Sequence, residues 1–102
     1  MTVIERLRDK ANSLPKSPGV YIMKDAEGNI IYVGKSKALK NRLSSNFSGI
    51  SNHTAKTFRM VSLVRDFDYI VCKTEIEALA LENVLIKKHS PKYNINLKDA
   101  KS

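Results

Sequence analysis

Two tyrosines lie close together in the first third of the chain, each inside a short apolar segment. Tyr21 belongs to GVYIM, and Tyr32 belongs to IIYVGKS, where a glycine and a lysine follow it. A phenol can hydrogen-bond water or phosphate and can move a proton, whereas the ring of Phe can do neither. The alternative interpretation is structural: both rings belong to the core and only their hydroxyls reach the surface.

One carboxylate, Glu82, falls within the apolar part of a predicted helix. Its neighbours three and four residues away are Ala78, Leu79, Leu85 and Ile86. A carboxylate on an apolar helix face is costly unless a cation pairs with it or it binds a metal. The sequence leaves both interpretations open: a buried ion pair with a lysine or arginine, or a ligand of a hard divalent cation such as Mg²⁺.

The positive charge of the chain is large and unevenly distributed. The net charge is +8, and no Asp or Glu occurs between residues 29 and 65 or between residues 83 and 98. Long acid-free stretches favour a polyanionic partner, most often nucleic acid, over a basic surface without a specific partner. The predicted DNA-contacting residues in these stretches are Lys37, Lys40, Lys56, Arg59, Lys87 and Lys92.

Length and composition exclude several classes of protein. With 102 residues the chain predicts one domain, residues 1–102. No apolar run reaches the roughly 18 residues of a membrane span, and the N-terminus lacks a signal-peptide pattern, so we expect a cytoplasmic protein. The lone Cys72 excludes an internal disulfide and a thiolate zinc site. Gly34-Lys35-Ser36 resembles the end of a P-loop, but Gly28 lies one residue too far upstream.

Hydrophobic periodicity and turn residues predict the elements that must position these side chains. Ser36 is the expected N-cap of the second helix, and Thr74 with Glu77 predicts a capping box at the start of the last one. The predicted order is a helix over 2–13, strands over 19–24 and 30–33, helices over 37–47 and 54–64, a strand over 67–73 and a helix from 75 to about 88. This order indicates an α+β fold.

Side-chain alternation predicts what each face of the hairpin carries. With an even number of residues in the turn, Tyr21, Met23, Ile30 and Tyr32 share one face, and Val20, Ile22, Ile31 and Val33 share the other. The two phenols therefore project from the same side of neighbouring strands. In the helix over 54–64, the predicted buried residues are Ala55, Phe58, Val61 and Leu63 or Val64.

These residues together resemble the GIY-YIG nuclease family. The two signatures stand here as Gly19-Val20-Tyr21 and Tyr32-Val33-Gly34, and Arg42, Glu82 and Asn94 follow in the order of the family. The segments PGVYIMKD, IIYVGKSKALKNRL and EALALENVLIKKHSPKYNINLKD are similar, over essentially the whole chain, to members that act in bacterial nucleotide excision repair.

The resemblance implies a fold, a reaction and partners. The implied fold is a small three-stranded antiparallel sheet flanked by helices, and the implied reaction is hydrolysis of a DNA phosphodiester bond on the 3′ side of a lesion. A single Mg²⁺ or Mn²⁺ ion is the implied cofactor, and lesion-containing duplex DNA is the substrate. We expect an N-terminal fragment of a longer protein, monomeric in isolation, whose UvrB-type partner binds through regions absent here.

The resemblance also implies a role for each candidate site residue. The catalytic candidates are Tyr21, Tyr32, Lys35, Arg42 and Asn94, and the metal ligand is Glu82. Either tyrosine takes the proton of the attacking water, and Lys35 is placed to lower the phenol pKa. Arg42 stabilises the pentavalent phosphate, and Asn94 positions the groups on the metal side.

The chain departs from the usual family pattern at one helix. Relatives commonly continue past the helix arginine as R-x-R-S-Y-F, whereas Ser44 and Asn46 stand here in place of the second arginine and the tyrosine. This predicts weaker phosphate binding or weaker positioning of a tyrosine at that helix. Two other functions stay open: a non-catalytic basic DNA-binding module, and a standalone GIY-YIG nuclease that acts on a different DNA substrate.

Overall fold

Four helices and three strands make up the part of the chain that the computed structural model describes, residues 2–47 and 55–94. The α+β class is confirmed. In chain order the elements are α1 (Val3–Asn12), β1 (Gly19–Lys24), β2 (Ile30–Ser36), α2 (Leu39–Asn46), α3 (Ala55–Leu63), β3 (Asp66–Val71) and α4 (Glu75–His89). None of the helices in these two ranges is long and apolar enough to cross a membrane.

The three strands form one antiparallel sheet in the order β2-β1-β3, so that β1 is central. Helix α4 packs against β1 and β2 on one face, where Val20 and Val33 meet Ala78. The other face carries the larger core, to which α1, α2 and α3 contribute. Two separate apolar layers therefore enclose the hairpin, as the alternation of its side chains requires.

The predicted pairing of the two tyrosines on one face is confirmed, but the prediction for two isoleucines is wrong. Met23 lies opposite Tyr32 and Tyr21 opposite Gly34, and the register then shifts between Met23 and Lys24. Because this bulge adds one residue to β2, Ile31 packs in the core that contains Tyr21, and Ile30 packs against the α4 side.

Ser36 is not the N-cap of α2, because β2 continues as far as this residue. Ser36 pairs with Gly19, and the helix begins at Leu39 with Ala38 as its uncapped first flanking residue. The Ser36 hydroxyl instead accepts a hydrogen bond from Ala38 N at 3.1 Å and stabilises the connecting turn. The predicted inward positions of α2, Leu39 and Leu43, are confirmed as fully buried.

Two further expectations for the helices need correction. Phe58 is 68% exposed, because the buried side of α3 is formed by Met60 and Val61. At α4, Thr74 accepts a hydrogen bond from Glu77 N at 3.1 Å, which is one half of the predicted capping box. A complete capping box stands at α1 instead, between Thr2 and Glu5.

Candidate active site

The two phenols meet at the β2 side of the sheet, and a glycine permits their approach. Their ring centroids are 6.1 Å apart, with Tyr21 only 4% exposed and Tyr32 half-buried. A Cβ atom on Gly34 would overlap the hydroxyl oxygen of Tyr21 and would lie 2.9 Å from its Cε2 atom. Gly34 therefore lets the Tyr21 ring cross β2 toward the outer edge of the sheet.

Burial and charge set the pKa values of both phenols above their ordinary value. Burial raises the pKa of Tyr21, the negative charge of an ionised Tyr32 raises it further, and the Arg42 guanidinium opposes the rise. Burial also raises the pKa of Tyr32, with the Glu82 carboxylate as the second cause. Arg42 is thus a cation that lowers the pKa of both phenols, a part that the sequence assigned to Lys35.

Glu82 lies half-buried on α4, and its charge reaches both phenols. Among the described side chains, those of residues 2–47 and 58–94, no lysine or arginine nitrogen forms an ion pair with its carboxylate. The ion-pair interpretation is therefore not supported by the described part of the chain. The surroundings are also more exposed to solvent than expected, since Leu79 is 44% exposed.

A single carboxylate is compatible with a hard divalent cation such as Mg²⁺ and not with zinc. No group of three or more His, Cys, Asp and Glu side chains that could hold a metal occurs among the described residues. A zinc site needs several nitrogen or sulfur ligands. Mg²⁺ takes one or two carboxylates and keeps several waters. The half-buried Glu82 carboxylate, whose charge acts on both phenols, fits a hard cation of this kind.

A cationic cleft of about 480 Å³ lies where the end of β2, the start of α2 and the start of α4 meet. Lys35, Lys37 and Arg42 line it, together with Glu75. Lys37 Nζ is 3.9 Å from the Glu75 carboxylate, and both side chains are mostly exposed, so this pair contributes little to stability. The cleft can accommodate a phosphate, since Arg42 lines it; neither phenol lines the cleft, but the charge of Arg42 acts on both of them.

Asn94 reaches the site from the segment after α4 and binds the main chain of β2. Its Nδ2 atom donates to Val33 O at 2.9 Å, and its Oδ1 atom accepts from Val33 N at 2.7 Å. β2 is an outer strand, so these two bonds satisfy groups that a neighbouring strand would otherwise pair. Both ends of the buried amide are engaged, so Asn94 is placed to fix the strand segment between Tyr32 and Gly34.

The predicted DNA-contacting residues are spread over several surfaces. Lys37 lines the cleft, Lys40 is half-buried on α2, and the exposed residues elsewhere are Arg59, Lys87 and Lys92. The side chain of Lys56 lies outside the described residues. The sequence analysis assigned no role in the site to four polar residues that line the cleft: Ser36, Asn41, Ser45 and Glu75. Asn41 and Ser45 could have been found from their spacing, because residues four apart lie on the same face of a helix.

The arrangement has counterparts among known proteins. A family model described as the UvrC-like GIY-YIG domain matches residues 17–95. UvrABC system protein C from Desulfitobacterium hafniense (strain Y51) is 58% identical over 99 residues, which cover 97% of this chain and 16% of that protein. The same protein from Caldanaerobacter subterraneus subsp. tengcongensis is 57% identical over 96 residues, which cover 94% of this chain and 16% of the relative. The chain thus spans about one sixth of these curated relatives.

Solved structures match both the fold and the length of the domain. The magnesium-bound GIY-YIG N-terminal endonuclease domain of UvrC from Thermotoga maritima is 43% identical, with a TM-score of 0.78, and the match covers 91% of this chain and 98% of that one. A point mutant of the same domain, bound to its catalytic divalent cation, also matches at 43% identity with a TM-score of 0.78, covering 91% of this chain and 97% of that chain.

Proposed function

Since the chain belongs to the family of UvrC-like GIY-YIG domains, we propose that it is the endonuclease domain that cuts DNA on the 3′ side of a lesion in nucleotide excision repair. One observation carries this proposal. Glu82 is a half-buried carboxylate without a described ion pair, and its charge raises the pKa of two clustered phenols. The strand that carries one of these phenols, β2, also borders a cationic cleft.

The cleft supplies the phosphate-binding part of the reaction. Arg42 lines the cleft, and its charge also influences the pKa of Tyr21 and Tyr32, so this residue connects the cleft with the two phenols. Arginine can form two parallel hydrogen bonds to phosphate oxygens, and its charge is worth most where negative charge grows in the transition state. Lys35 adds a second positive charge on the β2 side of the same cleft.

Glu82 is the residue that would hold Mg²⁺ or Mn²⁺, with water completing the coordination. When bound, the cation neutralises charge on the scissile phosphate and on its leaving oxygen. Because Glu82 raises the pKa of Tyr32, neutralisation of its carboxylate also removes one obstacle to ionisation of that phenol.

Tyr32 is the better candidate of the two phenols to meet the attacking water, since Tyr21 is nearly fully buried. In this proposal Tyr32 first loses its own proton to solvent, and its phenolate oxygen then takes the proton of the attacking water. The water oxygen bonds to phosphorus while the bond to the leaving oxygen breaks, and the leaving oxygen takes a proton from solvent. Tyr21 holds the Tyr32 side chain in place, and the double hydrogen bond of Asn94 to Val33 fixes the strand beneath it.

The longer relatives suggest the setting in which the domain works. They are UvrABC system proteins, so we expect lesion-containing duplex DNA as the substrate and a UvrB-type partner that binds elsewhere in the full polypeptide. We further propose a cytoplasmic location and a monomeric isolated domain.

The test is incision of a nicked, lesion-bearing duplex by the full-length protein with its UvrABC partners in Mg²⁺. Tyr32→Phe and Arg42→Ala should each reduce 3′ incision by about 10²-fold or more. Tyr69→Phe is the matched control, because Tyr69 is a partly exposed tyrosine that pairs with Tyr21 across β1 and β3. It should cut like the wild type.

Equal 3′ incision by the wild type, Tyr32→Phe and Arg42→Ala would contradict the proposal. Wild-type DNA binding without any cleavage would favour the non-catalytic DNA-binding module. Cleavage of branched or single-stranded DNA in preference to the lesion duplex would favour a nuclease with a different substrate.

A further inference from the structure

A second cleft continues the cationic one along the outside of α2. It has a volume of about 460 Å³ and is lined by Arg8 and Asn12 from α1 and by Asn41, Ser44 and Ser45 from α2. Asn41 and Ser45 also line the cationic cleft beside Arg42. The two clefts therefore adjoin at the exposed Asn41 and Ser45 side chains, and we refer to them together as the channel, which extends from the Arg42 side of α2 to α1.

The chemistry of this channel suits a sugar-phosphate backbone. All five side chains of the second cleft offer hydrogen bonds, one of them is an arginine, and none is acidic or apolar. Protein groups of this kind, namely Arg, Ser and Asn, make most of the contacts to DNA phosphates and sugars. The groove near Phe58 and Val61 differs from it, because six of its ten lining residues are apolar.

Arg8 is fixed at the far end of the channel. Its Nε atom donates a hydrogen bond to Phe47 O at 2.9 Å, directly after the last residue of α2. The channel crosses α2 over Asn41 and Ser45, because at 3.6 residues per turn Arg42 and Ser44 lie on opposite sides of these two residues. A helix with its side chains is about 10–12 Å wide, which corresponds to the axial rise of roughly three nucleotides of one strand.

We propose that the outer face of α2 binds the sugar-phosphate backbone of the DNA strand that flanks the cut, along Asn41 and Ser45 toward Arg8. This inference rests on the proposed function, since it extends the path of the scissile strand away from Arg42. The face positions the substrate and takes no part in the chemistry. It reads no bases, because hydrogen bonds to phosphate and sugar carry no sequence information directly.

The test measures DNA binding separately from cleavage. Fluorescence anisotropy of a labelled nicked duplex in EDTA, with the domain that matches the solved endonuclease domain in length, reports binding without a cut. Ser45→Glu places a negative charge where the two clefts meet and should weaken binding about tenfold. Ala80→Glu is the matched control, since it adds the same charge to an exposed helical position on α4. It should weaken binding by less than twofold.

A substitution that should raise the affinity for DNA complements the one that should lower it. Ser44→Arg adds a cation to the second cleft, so binding should tighten and the slope of log K against log salt should steepen by about one unit. Thermal melts of each variant, monitored by circular dichroism, check that α2 is still folded. A Ser44→Arg variant that is folded but shows wild-type affinity and slope would overturn the proposal.

Replacing single charged phosphates of the DNA by uncharged methylphosphonates locates the contact on the DNA. Methylphosphonates two to four nucleotides from the cut, on one flank of the cleaved strand, should weaken wild-type binding and weaken Ser45→Glu binding clearly less. Equal losses for both proteins on both flanks would overturn the inference, as would an equal loss of affinity for Ser45→Glu and Ala80→Glu. Because the measurement needs no cleavage, a wild type that binds as expected but never cuts would contradict only the proposed function.

Discussion

The outer strands β2 and β3 lie on opposite sides of β1, and each has carboxylates nearby. At β3, Asp66 accepts a hydrogen bond from Lys10 Nζ at 3.0 Å, and Asp68 lies 2.5 Å from Lys24 Nζ. Near β2, Glu82 has no ion pair with any of the described side chains of residues 2–47 and 58–94, and its charge raises the pKa of Tyr32. The acids near β3 thus pair with cations of the fold, whereas no described cation pairs with the acid near β2.

The same contrast extends to the main chain of the two outer strands. The β2 backbone at Val33 is hydrogen-bonded to the Asn94 side chain. Gly34 has no side chain, and the Tyr21 ring occupies the space where a Cβ atom would lie. At β3, the Lys10 side chain binds Asp66 and the Phe67 carbonyl, and its ammonium lies 4.6 Å from the Phe67 ring centroid. Contacts at β3 attach the strand to α1, and contacts at β2 orient the candidate catalytic groups.

Replacing Glu82 should produce the largest effect on activity. We expect Glu82→Gln to reduce Mg²⁺-dependent incision by about 10²- to 10³-fold, because the variant loses the only carboxylate assigned to the cation. The free energy of unfolding should change by no more than about 0.5 kcal/mol, since no described ion pair is broken. Incision assays and urea denaturation measure the two quantities.

A second measurement on the same variant sharpens the comparison. Glu82 raises the pKa of both phenols, so its neutralisation should lower the pH at which Tyr32 ionises. Ultraviolet absorbance titration of Glu82→Gln, with and without Tyr32→Phe, reports that ionisation. Unchanged titration curves, or wild-type incision by Glu82→Gln, would remove Glu82 from the site.

Most of the fold and the meeting of the two tyrosines could be predicted from the sequence. Alternation in β1 and β2 placed Tyr21 and Tyr32 on one face, because a period of two depends only on local chain geometry. The exchange of Ile30 and Ile31 could not be predicted, since a bulge depends on how the turn closes. The extension of β2 to Ser36 likewise depends on pairing with Gly19, which lies 17 residues earlier.

The candidate site was less predictable than the fold, because its contacts join distant parts of the chain. The amide of Asn94 binds Val33 across 61 residues, and no local pattern in the segment after α4 indicates that partner. Arg42 and Glu82 were identified by their residue type and family order. The influence of Arg42 on the phenol pKa values required the packing of α2 beside the hairpin.

Substitution of Gly34 tests whether activity needs the space beside β2 that the Tyr21 ring occupies. Gly34→Ala should reduce incision by about 10²-fold, because a displacement of about 1 Å at a catalytic group has that effect. It should also destabilise the fold by about 1–3 kcal/mol through overpacking against Tyr21.

Gly28→Ala is the matched control for that variant. Gly28 has φ +82° in the hairpin turn, and nothing lies within 4 Å of the position of an added Cβ atom. Backbone strain should cost about 1 kcal/mol of stability, while incision at a permissive temperature stays at the wild-type level. Equal losses of activity in both variants would mean that Gly34 acts through stability alone.

Asn94→Ala should weaken the fixation of β2. Removal of the amide leaves Val33 N and Val33 O without their buried partners, which should cost about 1–3 kcal/mol of unfolding free energy. Amide hydrogen exchange at Val33 should accelerate more than exchange at Ile70 in β3, because only the former loses a side-chain partner. Exchange that accelerates equally on both strands would show general destabilisation and no specific role at β2.

The smallest expected effect lies at β3, where Asp66→Asn tests the structural side of the comparison. Burial alone would raise the pKa of Asp66, but hydrogen bonds from Lys10 and from Phe67 N outweigh it and lower the pKa. Stability from a carboxylate with a lowered pKa is present above its unfolded pKa of about 3.9 and is lost as the pH falls through the folded pKa.

The Asp66→Asn variant should therefore be about 0.5 kcal/mol less stable at pH 7, a modest value because the Asp66 side chain is 52% exposed. The difference should shrink below about pH 4, and incision should stay at the wild-type level. A difference in urea unfolding free energy that stays constant down to pH 2, or a loss of incision in Asp66→Asn, would contradict the division of roles between the two strands.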